Sequence, residues 1–542
     1  MTEELDILIK NGSVLDGTGS PWFKKDIGIV EGRVRSVGYI SKSAKKVIDA
    51  RGMIVSPGFI DLHNHADHTI LAYPDAESYV MQGVTTSVVG NCGASMAPVN
   101  PGNLSLLKEY LSSFLVAGFD YGWNWETLEE YYEKVEGQGI SLNLAPLVGQ
   151  GTVRLAVKGF ASSEVSREEM DEMKKLLRQS LEYGAFGMST GLIYPPGSYS
   201  STEEIVELAS VLRKYRAIYT SHIRNESNRL MEAVEEAIKI GEENDIAVEL
   251  SHHKAVGRVN WGEVNATLRV MERARQRGVE VNCDVYPYTA GSTTVTALLP
   301  SWTLEGGVAK LLERLESREV REAIKREIVE DTMRGENWIK SAGWNGIIIA
   351  QCASNEEFEG KSLEEILRER GKLDKPFEGL FDWLLEVGGE SVAVLFGMDE
   401  DDVRTVMSSP LSSIISDSWV TAPSAAGKPH PRAYGTFPRF LGKYVREEKV
   451  LRLEDAIRKI TSLPAGKIGL EDRGIIKEGF WADVVIFDPA KIKDKATYAS
   501  PHQYPEGISY VIVNGQVVVE SGRLTGIRPG KVLRKSRSKN SY

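Results

Sequence analysis

The hydrophobic pattern divides the chain into a long middle part and two ends of a different kind. The first 50 residues alternate short apolar runs with glycine-bounded turns. The same pattern returns at 482–487 and 510–519, where Asn514-Gly515 is typical of a tight turn between two strands. We therefore predict a small β-domain, a β-sandwich, that residues 1–55 and 475–542 build together.

The middle part alternates buried-type apolar runs with amphipathic helices. The runs cover 84–90, 142–148, 185–189, 217–221, 246–250 and 279–283, and the clearest helices cover 166–183 and 228–244. The run that ends at His63 and the run at 413–416 bring the number of strands to about eight. Alternation of this kind predicts an α/β fold in which residues 56–474 form a (β/α)8 TIM-like barrel.

One segment interrupts this alternation. A charged helical stretch, roughly 304–338, follows the seventh predicted strand, and an apolar run resumes at 347–350. We interpret residues 298–345 as an inserted segment close enough to the strand ends to act as a lid, with a plain surface excursion as the alternative. Residues 356–400 receive no assignment.

Candidate metal ligands follow several of the predicted strands, where barrel enzymes carry their chemistry. They are His63 and His65 after the first strand, Cys92 after the second, His222 after the fifth, His252 or His253 after the sixth, and Asp417 after the last. His63 and His65 are two residues apart and so point to the same side of a strand. Neighbouring residues alternate sides, so only one of His252 and His253 can face the barrel axis, and the pattern does not choose between them.

Imidazole, thiolate and carboxylate ligands together suit zinc, with one coordination position left for water. Each residue also has a simpler interpretation. Cys92 can be an inert buried thiol, His222 a hydrogen-bonded core residue, and Asp417 the N-cap of a helix that begins at Ser418. The joint occurrence of these residues at successive strand ends favours a metal site.

Composition narrows the class of protein further. The net charge of −11 argues against nucleic-acid binding, and the three cysteines, with no Cys-x-x-Cys pair, indicate a reducing compartment. The acidic start of the chain lacks the basic and apolar segments of a signal peptide. The sequence contains no uninterrupted apolar stretch of about 18 residues, the length that a membrane-spanning helix requires. We expect a cytoplasmic enzyme without nucleic-acid or membrane partners.

Several motifs resemble those of a known family. They are Ser-Pro-Gly-Phe-Ile-Asp-Leu-His-Asn-His at 56–65, Gly-Asn-Cys-Gly at 90–93, Thr-Ser-His at 220–222, Ser-His-His-Lys at 251–254, Asp-Val-Tyr-Pro-Tyr-Thr-Ala-Gly-Ser-Thr at 284–293, Ser-Asp at 416–417 and His-Pro-Arg-Ala-Tyr-Gly-Thr-Phe at 430–437. Over nearly its whole length the chain resembles the amidohydrolase superfamily, and within it the N-acyl-D-amino-acid deacylases (D-aminoacylases). Many superfamily members bridge two metals with a lysine on the fourth strand, and 185–190 contains none.

This resemblance implies zinc-dependent hydrolysis of N-acyl-D-amino acids to a carboxylate and a free D-amino acid. It implies that Cys92, His222 and His252 hold a tightly bound zinc. His63, His65 and Asp417, with Cys92 shared, would line a second and weaker position. We expect Asp417 to take a proton from the attacking water and to deliver it to the departing nitrogen.

The expected substrate, a small N-acyl amino acid, presents an α-carboxylate that requires a cation. Arg432 can grip a carboxylate with two N–H groups, and Lys254 adds a point charge. Tyr286 or Tyr288, together with Ser292, can donate hydroxyl groups. The resemblance implies substrate contacts at Lys254, Tyr286, Ser292 and Arg432, and Tyr194 is a candidate for the pocket wall.

The chain departs from the deacylase pattern after Asp417. A Trp419-bearing stretch, 418–427, stands where the deacylases continue with a glycine and a short histidine-bearing loop. The preferred side chain, the acyl group and the strictness of D over L configuration are therefore open, as are the number of metals and a homo-oligomeric state.

Two alternative functions are considered. One is hydrolysis of cyclic amides, as in hydantoinases and dihydroorotases, or of dipeptides that contain D-amino acids. The missing lysine on the fourth strand counts against the cyclic amides. The other is a non-catalytic scaffold that keeps the barrel without its metal, and the complete set of candidate ligands counts against it.

Overall fold

A computed structural model describes residues 4–536 and contains the predicted barrel. Its eight parallel strands are Phe59–Asp61, Val84–Val89, Asn143–Gly149, Gly187–Gly191, Ile218–His222, Val248–Leu250, Val281–Val285 and Ser412–Ile414. Each strand pairs in parallel with the next one in this order. We number them as barrel strands one to eight.

Strands one and eight meet just beyond their ends. The backbone N–H of Asp417 donates to the carbonyl of His63 over 2.9 Å, and the N–H of His65 donates to the carbonyl of Ser418 over 2.6 Å. These hydrogen bonds bring the residues that follow the last strand beside the histidines that follow the first. The TIM-like barrel fold is therefore confirmed.

Helices surround the barrel and connect its strands. They are Glu77–Val80, Leu104–Leu111, Leu128–Gln138, Gln150–Lys158, Arg167–Tyr183, Thr202–Ala209, Leu230–Asn244, Val264–Gln276, Glu400–Ser408, Arg432–Arg439, Leu453–Lys459 and Ser462–Ile468, with a π-helical turn at Phe440–Glu447. Ser166 and Glu169 form a capping box at the start of one of the two predicted helices. Within residues 4–536 no helix is both long and apolar enough to cross a lipid bilayer.

Both ends of the chain contribute to two further sheets. A four-stranded sheet has the spatial order Arg33–Gly38, Asp26–Val30, Leu5–Lys10 and Ala44–Asp49. A seven-stranded sheet has the order Arg523–Leu524, Gln516–Glu520, Ile508–Val513, Val484–Phe487, Ile54–Pro57, Ser13–Val14 and Phe23–Lys24. The two sheets share a buried apolar core. The boundaries 1–55 and 475–542 stay a prediction, and residues 1–3 and 537–542 lie outside the described residues.

Residues 290–396 lie between barrel strands seven and eight and form a unit outside the barrel sheet. A separate antiparallel sheet has the order Ala290–Thr294, Ser391–Phe396 and Ile347–Cys352, and the helices that accompany it are Val308–Leu315, Arg318–Glu330, Trp338–Ala342, Leu363–Glu369 and Pro376–Val387. Most of these elements pack in a core of their own. The strands of this sheet lie outside 298–345, and those bounds stay a prediction. We call Ala290–Phe396 the inserted segment.

Candidate metal centre and active site

The six predicted ligands come together at the carboxyl ends of the barrel strands. All six are buried: His63, His65, Cys92, His222, His252 and Asp417. The sulfur of Cys92 lies 3.2 Å from His63 Nε2, 3.6 Å from His252 Nε2 and 3.7 Å from His222 Nδ1. Oδ1 of Asp417 lies 3.4 Å from Nε2 of both His63 and His65.

Three of these residues adopt a backbone conformation that L-amino acids avoid. The φ angles are 51° at Cys92, 37° at His252 and 48° at Asp417. Such conformations cost roughly 1–3 kcal/mol each and cluster where the surrounding structure holds a residue for a purpose. No helix begins at Ser418, since the next one is Arg432–Arg439, so the N-cap interpretation of Asp417 is wrong.

The structure distinguishes the two adjacent histidines. His252 faces Cys92, whereas Nε2 of His253 lies 2.8 Å from the hydroxyl of Thr267, on the helix outside the barrel. His252, and not His253, therefore belongs to the cluster. Both residues lie in the turn after barrel strand six, which ends at Leu250.

The charge states of the cluster fit a bound cation. Burial raises the pKa of the Cys92 thiol well above its ordinary value and lowers the pKa of His222 and of His252 well below theirs. The imidazoles are therefore neutral, which is the form that binds metals, and a thiolate at Cys92 requires a nearby cation.

The spacing of the cluster fits zinc in particular. One S–H can hydrogen-bond only one of the nitrogens that face it, whereas a single cation can bind the sulfur and the nitrogens together. A tetrahedral site with bonds of about 2.0–2.3 Å has ligand atoms about 3.5 Å apart. The separations of 3.2–3.7 Å around Cys92 match this value, so the residues present fit zinc.

Removing zinc is expected to destabilise the protein. A bound ion stabilises the folded state by about 4 kcal/mol when its concentration is a thousand times its Kd. Protein treated with dipicolinate should therefore unfold at a lower Tm by calorimetry than zinc-loaded protein, and added zinc should restore the original Tm. An identical Tm before and after confirmed metal removal would contradict the assignment of these ligands.

A carboxylate that the sequence analysis missed lies behind two of the candidate ligands. Oε1 of Glu226 lies 2.9 Å from His252 Nδ1 and 2.6 Å from Lys254 Nζ, and Oε2 lies 3.9 Å from His222 Nε2. His222, Glu226 and His252 could together bind a cation. The ammonium group of Lys254 lies against two of them, 2.6 Å from Glu226 Oε1 and 2.7 Å from His252 Nδ1. The one signal in the sequence is the spacing of Glu226 four residues after His222.

A second missed carboxylate belongs to barrel strand seven. Oδ1 of Asp284 accepts a hydrogen bond from the backbone N–H of His252, and Oδ2 lies 3.9 Å from His63 Nδ1. Asp284 belongs to one of the quoted motifs but received no role there. It contacts the far sides of two residues of the cluster.

Asp417 is held as an anion. Burial raises the pKa of this carboxyl group, but the charge of Arg432 and the neighbouring imidazoles outweigh burial and hold the pKa well below its ordinary value. Nη1 of Arg432 lies 2.9 Å from Asp417 Oδ2, and its guanidinium group stacks 4.8 Å above the ring of Tyr286. An ionised carboxylate beside the candidate metal ligands can accept a proton.

All five predicted substrate-binding residues line one cavity above the cluster: Tyr194, Lys254, Tyr286, Ser292 and Arg432. The hydroxyl of Ser292 has no hydrogen-bond partner among the described residues, whereas that of Tyr194 lies 2.8 Å from Thr293 Oγ1. Tyr288 does not line this cavity and lies instead under the guanidinium group of Arg439, so Tyr286 is the tyrosine at the site.

The rest of the cavity wall is largely apolar. Trp419 and Phe114 lie on one side, with ring centroids 6.4 Å apart, and Trp338 belongs to the inserted segment. The inserted segment therefore contributes part of the wall. Glu109 also lines the cavity, and its carboxylate accepts a hydrogen bond from the backbone N–H of Val308.

Comparison with known proteins identifies the family. The sequence profile of the amidohydrolase family matches residues 46–130 and 144–519. The chain belongs to the amidohydrolase family. This amidohydrolase is 36% identical over 540 residues to an N-acyl-D-glutamate deacylase of Alcaligenes xylosoxydans xylosoxydans, an alignment that covers 99% of this chain and 98% of that protein. The predicted resemblance is confirmed.

Two solved structures share the whole architecture of this amidohydrolase. One is N-acyl-D-glutamate deacylase of Bordetella bronchiseptica, complexed with zinc and a phosphonate inhibitor that mimics the tetrahedral intermediate (TM-score 0.81, 35% identity, covering 98% of this chain and 100% of that one). The other is a D-aminoacylase described as having a binuclear metal centre, with activation by one metal and attenuation by a second (TM-score 0.81, 35% identity, with the same coverage).

Proposed function

We propose that this amidohydrolase is a zinc-dependent N-acyl-D-amino-acid deacylase. The observation that carries the proposal is the position of an ionised carboxylate, Asp417, between a zinc-type ligand cluster and the guanidinium group of Arg432. The full-length likeness to an N-acyl-D-glutamate deacylase and to a D-aminoacylase supports the type of substrate.

The proposed ligand roles follow the two sides of Cys92. Cys92, His222 and His252 hold the tightly bound zinc, and His63, His65 and Asp417, with Cys92 shared, line a second and weaker position. Cys92 contacts residues of both sets, His63 on one side and His222 and His252 on the other. Asp417 contacts His63 and His65. A bound zinc ion lowers the pKa of its water towards neutrality and polarises the amide carbonyl.

Asp417 is the proposed proton carrier. Its carboxylate accepts the proton of the attacking water and then donates that proton to the departing nitrogen, because an amine leaves readily only when protonated. Arg432 supports this role by holding Asp417 ionised and in place.

The substrate carboxylate is proposed to bind between two cations, Arg432 and Lys254. Each already contacts a carboxylate of the protein, but Nε of Arg432 has no hydrogen-bond partner among the described residues. A guanidinium group has five N–H donors, so it can serve Asp417 and the substrate together. Tyr286 and Ser292 supply hydroxyl groups, and Tyr194 forms part of the wall.

An Arg432→Lys variant is expected to bind substrate about 10- to 100-fold more weakly. Lysine keeps the charge but loses the second N–H of the planar fork, and hydrogen bonds to charged groups contribute about 1.5–3 kcal/mol. Steady-state kinetics should show a higher KM, together with a lower kcat because Arg432 also holds Asp417 in place. Unchanged KM would mean that Arg432 does not contact the substrate.

We also propose a cytoplasmic location and a small-molecule substrate as the partner, without nucleic acid. The three cysteines, all buried and free in the structure, and the net charge of −11 support this part of the proposal.

The test is release of free amine from paired N-acetyl-D- and N-acetyl-L-amino acids by zinc-loaded protein, detected with ninhydrin. Leucine, glutamate and lysine derivatives sample apolar, acidic and basic side chains. The proposal predicts release from D-substrates alone, and the side chain with the highest kcat/KM names the preference. Release from L-substrates only, or from none while zinc is bound, would overturn it.

A further inference from the structure

The side chain of Glu226 lies beside the candidate zinc ligands, on the side away from Cys92. Glu226 lies in the turn between barrel strand five and the helix Leu230–Asn244, and its side chain is buried. Its two oxygens face different histidines: Oε1 is 2.9 Å from His252 Nδ1, and Oε2 is 3.9 Å from His222 Nε2.

The two imidazoles present opposite nitrogens to Cys92. His252 turns Nε2 and His222 turns Nδ1 towards the sulfur. A neutral imidazole that binds a metal through one nitrogen carries its proton on the other. The N–H groups left over, Nδ1 of His252 and Nε2 of His222, are the two that face Glu226.

From this geometry we propose that Glu226 is a positioning residue that orients both histidine ligands of the tightly bound metal. The inference rests on the zinc site of the proposed function. A carboxylate that accepts a ligand histidine's free N–H fixes its tautomer and ring orientation and makes its nitrogen a stronger donor. Here the carboxylate hydrogen-bonds His252 directly, and its second oxygen is the anionic group that faces His222 Nε2 across 3.9 Å, a nitrogen without a hydrogen-bond partner among the described residues.

Lys254 offsets the free-energy cost of burying the Glu226 carboxylate. Its ammonium group lies 2.6 Å from Glu226 Oε1, so the carboxylate is paired inside the protein. Nζ of Lys254 also lies 2.7 Å from His252 Nδ1. When Nδ1 carries a proton, these two donors are close neighbours, and Glu226 Oε1 is the acceptor that both of them face. Glu226 therefore couples the proposed substrate cation to a metal ligand.

The backbone of Glu226 is fixed from two sides. Its N–H donates over 2.7 Å to Glu336 of the inserted segment, and its carbonyl accepts over 2.7 Å from the N–H of Val256, beyond strand six. The inserted segment thus reaches the metal ligands through Glu226. These contacts hold the carboxylate at a defined height behind the two imidazoles.

The test compares zinc affinity in Glu226→Gln, Glu226→Asp and a control, Glu236→Gln. Glu236 is a largely buried carboxylate paired with Arg224, and its hydrogen bonds within the described residues go to Arg224 and Thr202, outside the cluster. Competition with a chromophoric chelator gives the Kd for zinc, and absorption of the cobalt-substituted protein reports ligand geometry. We expect both Glu226 variants to bind zinc about 10- to 100-fold more weakly with a changed cobalt spectrum, while the control matches wild type.

The Glu226→Asp variant distinguishes a role in positioning the histidines from a role as the counter-ion of Lys254. It keeps a negative charge near Lys254 but draws the oxygens back by one methylene group. If Glu226 were only the counter-ion of Lys254, this variant would bind zinc as tightly as wild type with an unchanged cobalt spectrum, and that result would overturn the inference. Circular dichroism of the metal-free proteins shows that the variants fold.

A failure of the proposed deacylase function would give a different result from a failure of the inference on Glu226. Wild-type protein that binds zinc but releases no amine from any N-acetyl-D-amino acid would overturn the deacylase activity. The comparison of zinc affinities would still decide the role of Glu226.

Discussion

An Asp417→Asn variant is expected to bind zinc at its tight site and to lose about 10²- to 10⁴-fold in kcat, the contribution typical of general acid–base catalysis. The amide has nearly the shape of the carboxylate but cannot take a proton from water or pass one to the departing nitrogen. Cys92, His222 and His252 do not depend on it for their mutual contacts. Zinc content by mass spectrometry and kcat on the best N-acetyl-D-amino acid are the two measurements.

The matched control for this variant is Asp402→Asn. Asp402 is also a buried carboxylate, but it accepts hydrogen bonds from the backbone N–H of Gly262 and does not line the cavity above the cluster. It should keep wild-type kcat. An Asp417→Asn variant with near-normal turnover and stoichiometric zinc would rule out Asp417 as the proton carrier.

A Cys92→Ala variant is expected to lose zinc. Sites with four protein ligands bind zinc with about 10–16 kcal/mol, so the share of one ligand is about 3 kcal/mol, which is about a hundredfold in affinity. Cys92 contacts His63, His222 and His252, and its loss affects both proposed metal positions. Chelator competition should show the weaker binding, and turnover at limiting zinc should fall with it.

Cys352→Ala provides the comparison for Cys92. Cys352 is equally buried but belongs to the sheet of the inserted segment, away from the cluster. Its replacement should leave zinc affinity unchanged. Equal zinc affinity in the two variants would remove Cys92 from the ligand set.

The positions of the candidate ligands at the end of the barrel were predictable because they follow apolar runs. His63, Cys92, His222 and Asp417 stand where a buried strand ends, and the carboxyl ends of parallel strands meet on one face of a barrel. Periodicity alone could not choose between His252 and His253. Thr267 decides it in the structure, since it engages His253 from a helix outside the barrel.

Glu226 was not predictable in the same way. It follows His222 by four residues in a turn, and nothing in its immediate sequence distinguishes this buried glutamate from glutamates on the surface. Its partners His252 and Lys254 come from the next strand of the barrel. Only the packing of strands five and six brings these residues together.

The inserted segment shows why the hydrophobic pattern alone does not predict which distant strands pair. The run at 347–350 has the composition of any buried strand, and its partner Ser391–Phe396 lies about 40 residues further on. The helices Leu363–Glu369 and Pro376–Val387 pack on a sheet whose strands are distant in sequence. Within the unassigned residues 356–400, Pro376 was a local indication of a helix start, since proline is favoured at the first position of a helix.

The most direct test of the account is a titration of metal-free protein with zinc, in which bound zinc and amine release from the best N-acetyl-D-amino acid are measured on the same samples. We expect turnover to rise in proportion to bound zinc up to one equivalent and the N-acetyl-L-enantiomer to yield no amine. Protein with one or more equivalents of zinc that hydrolyses neither enantiomer would contradict it.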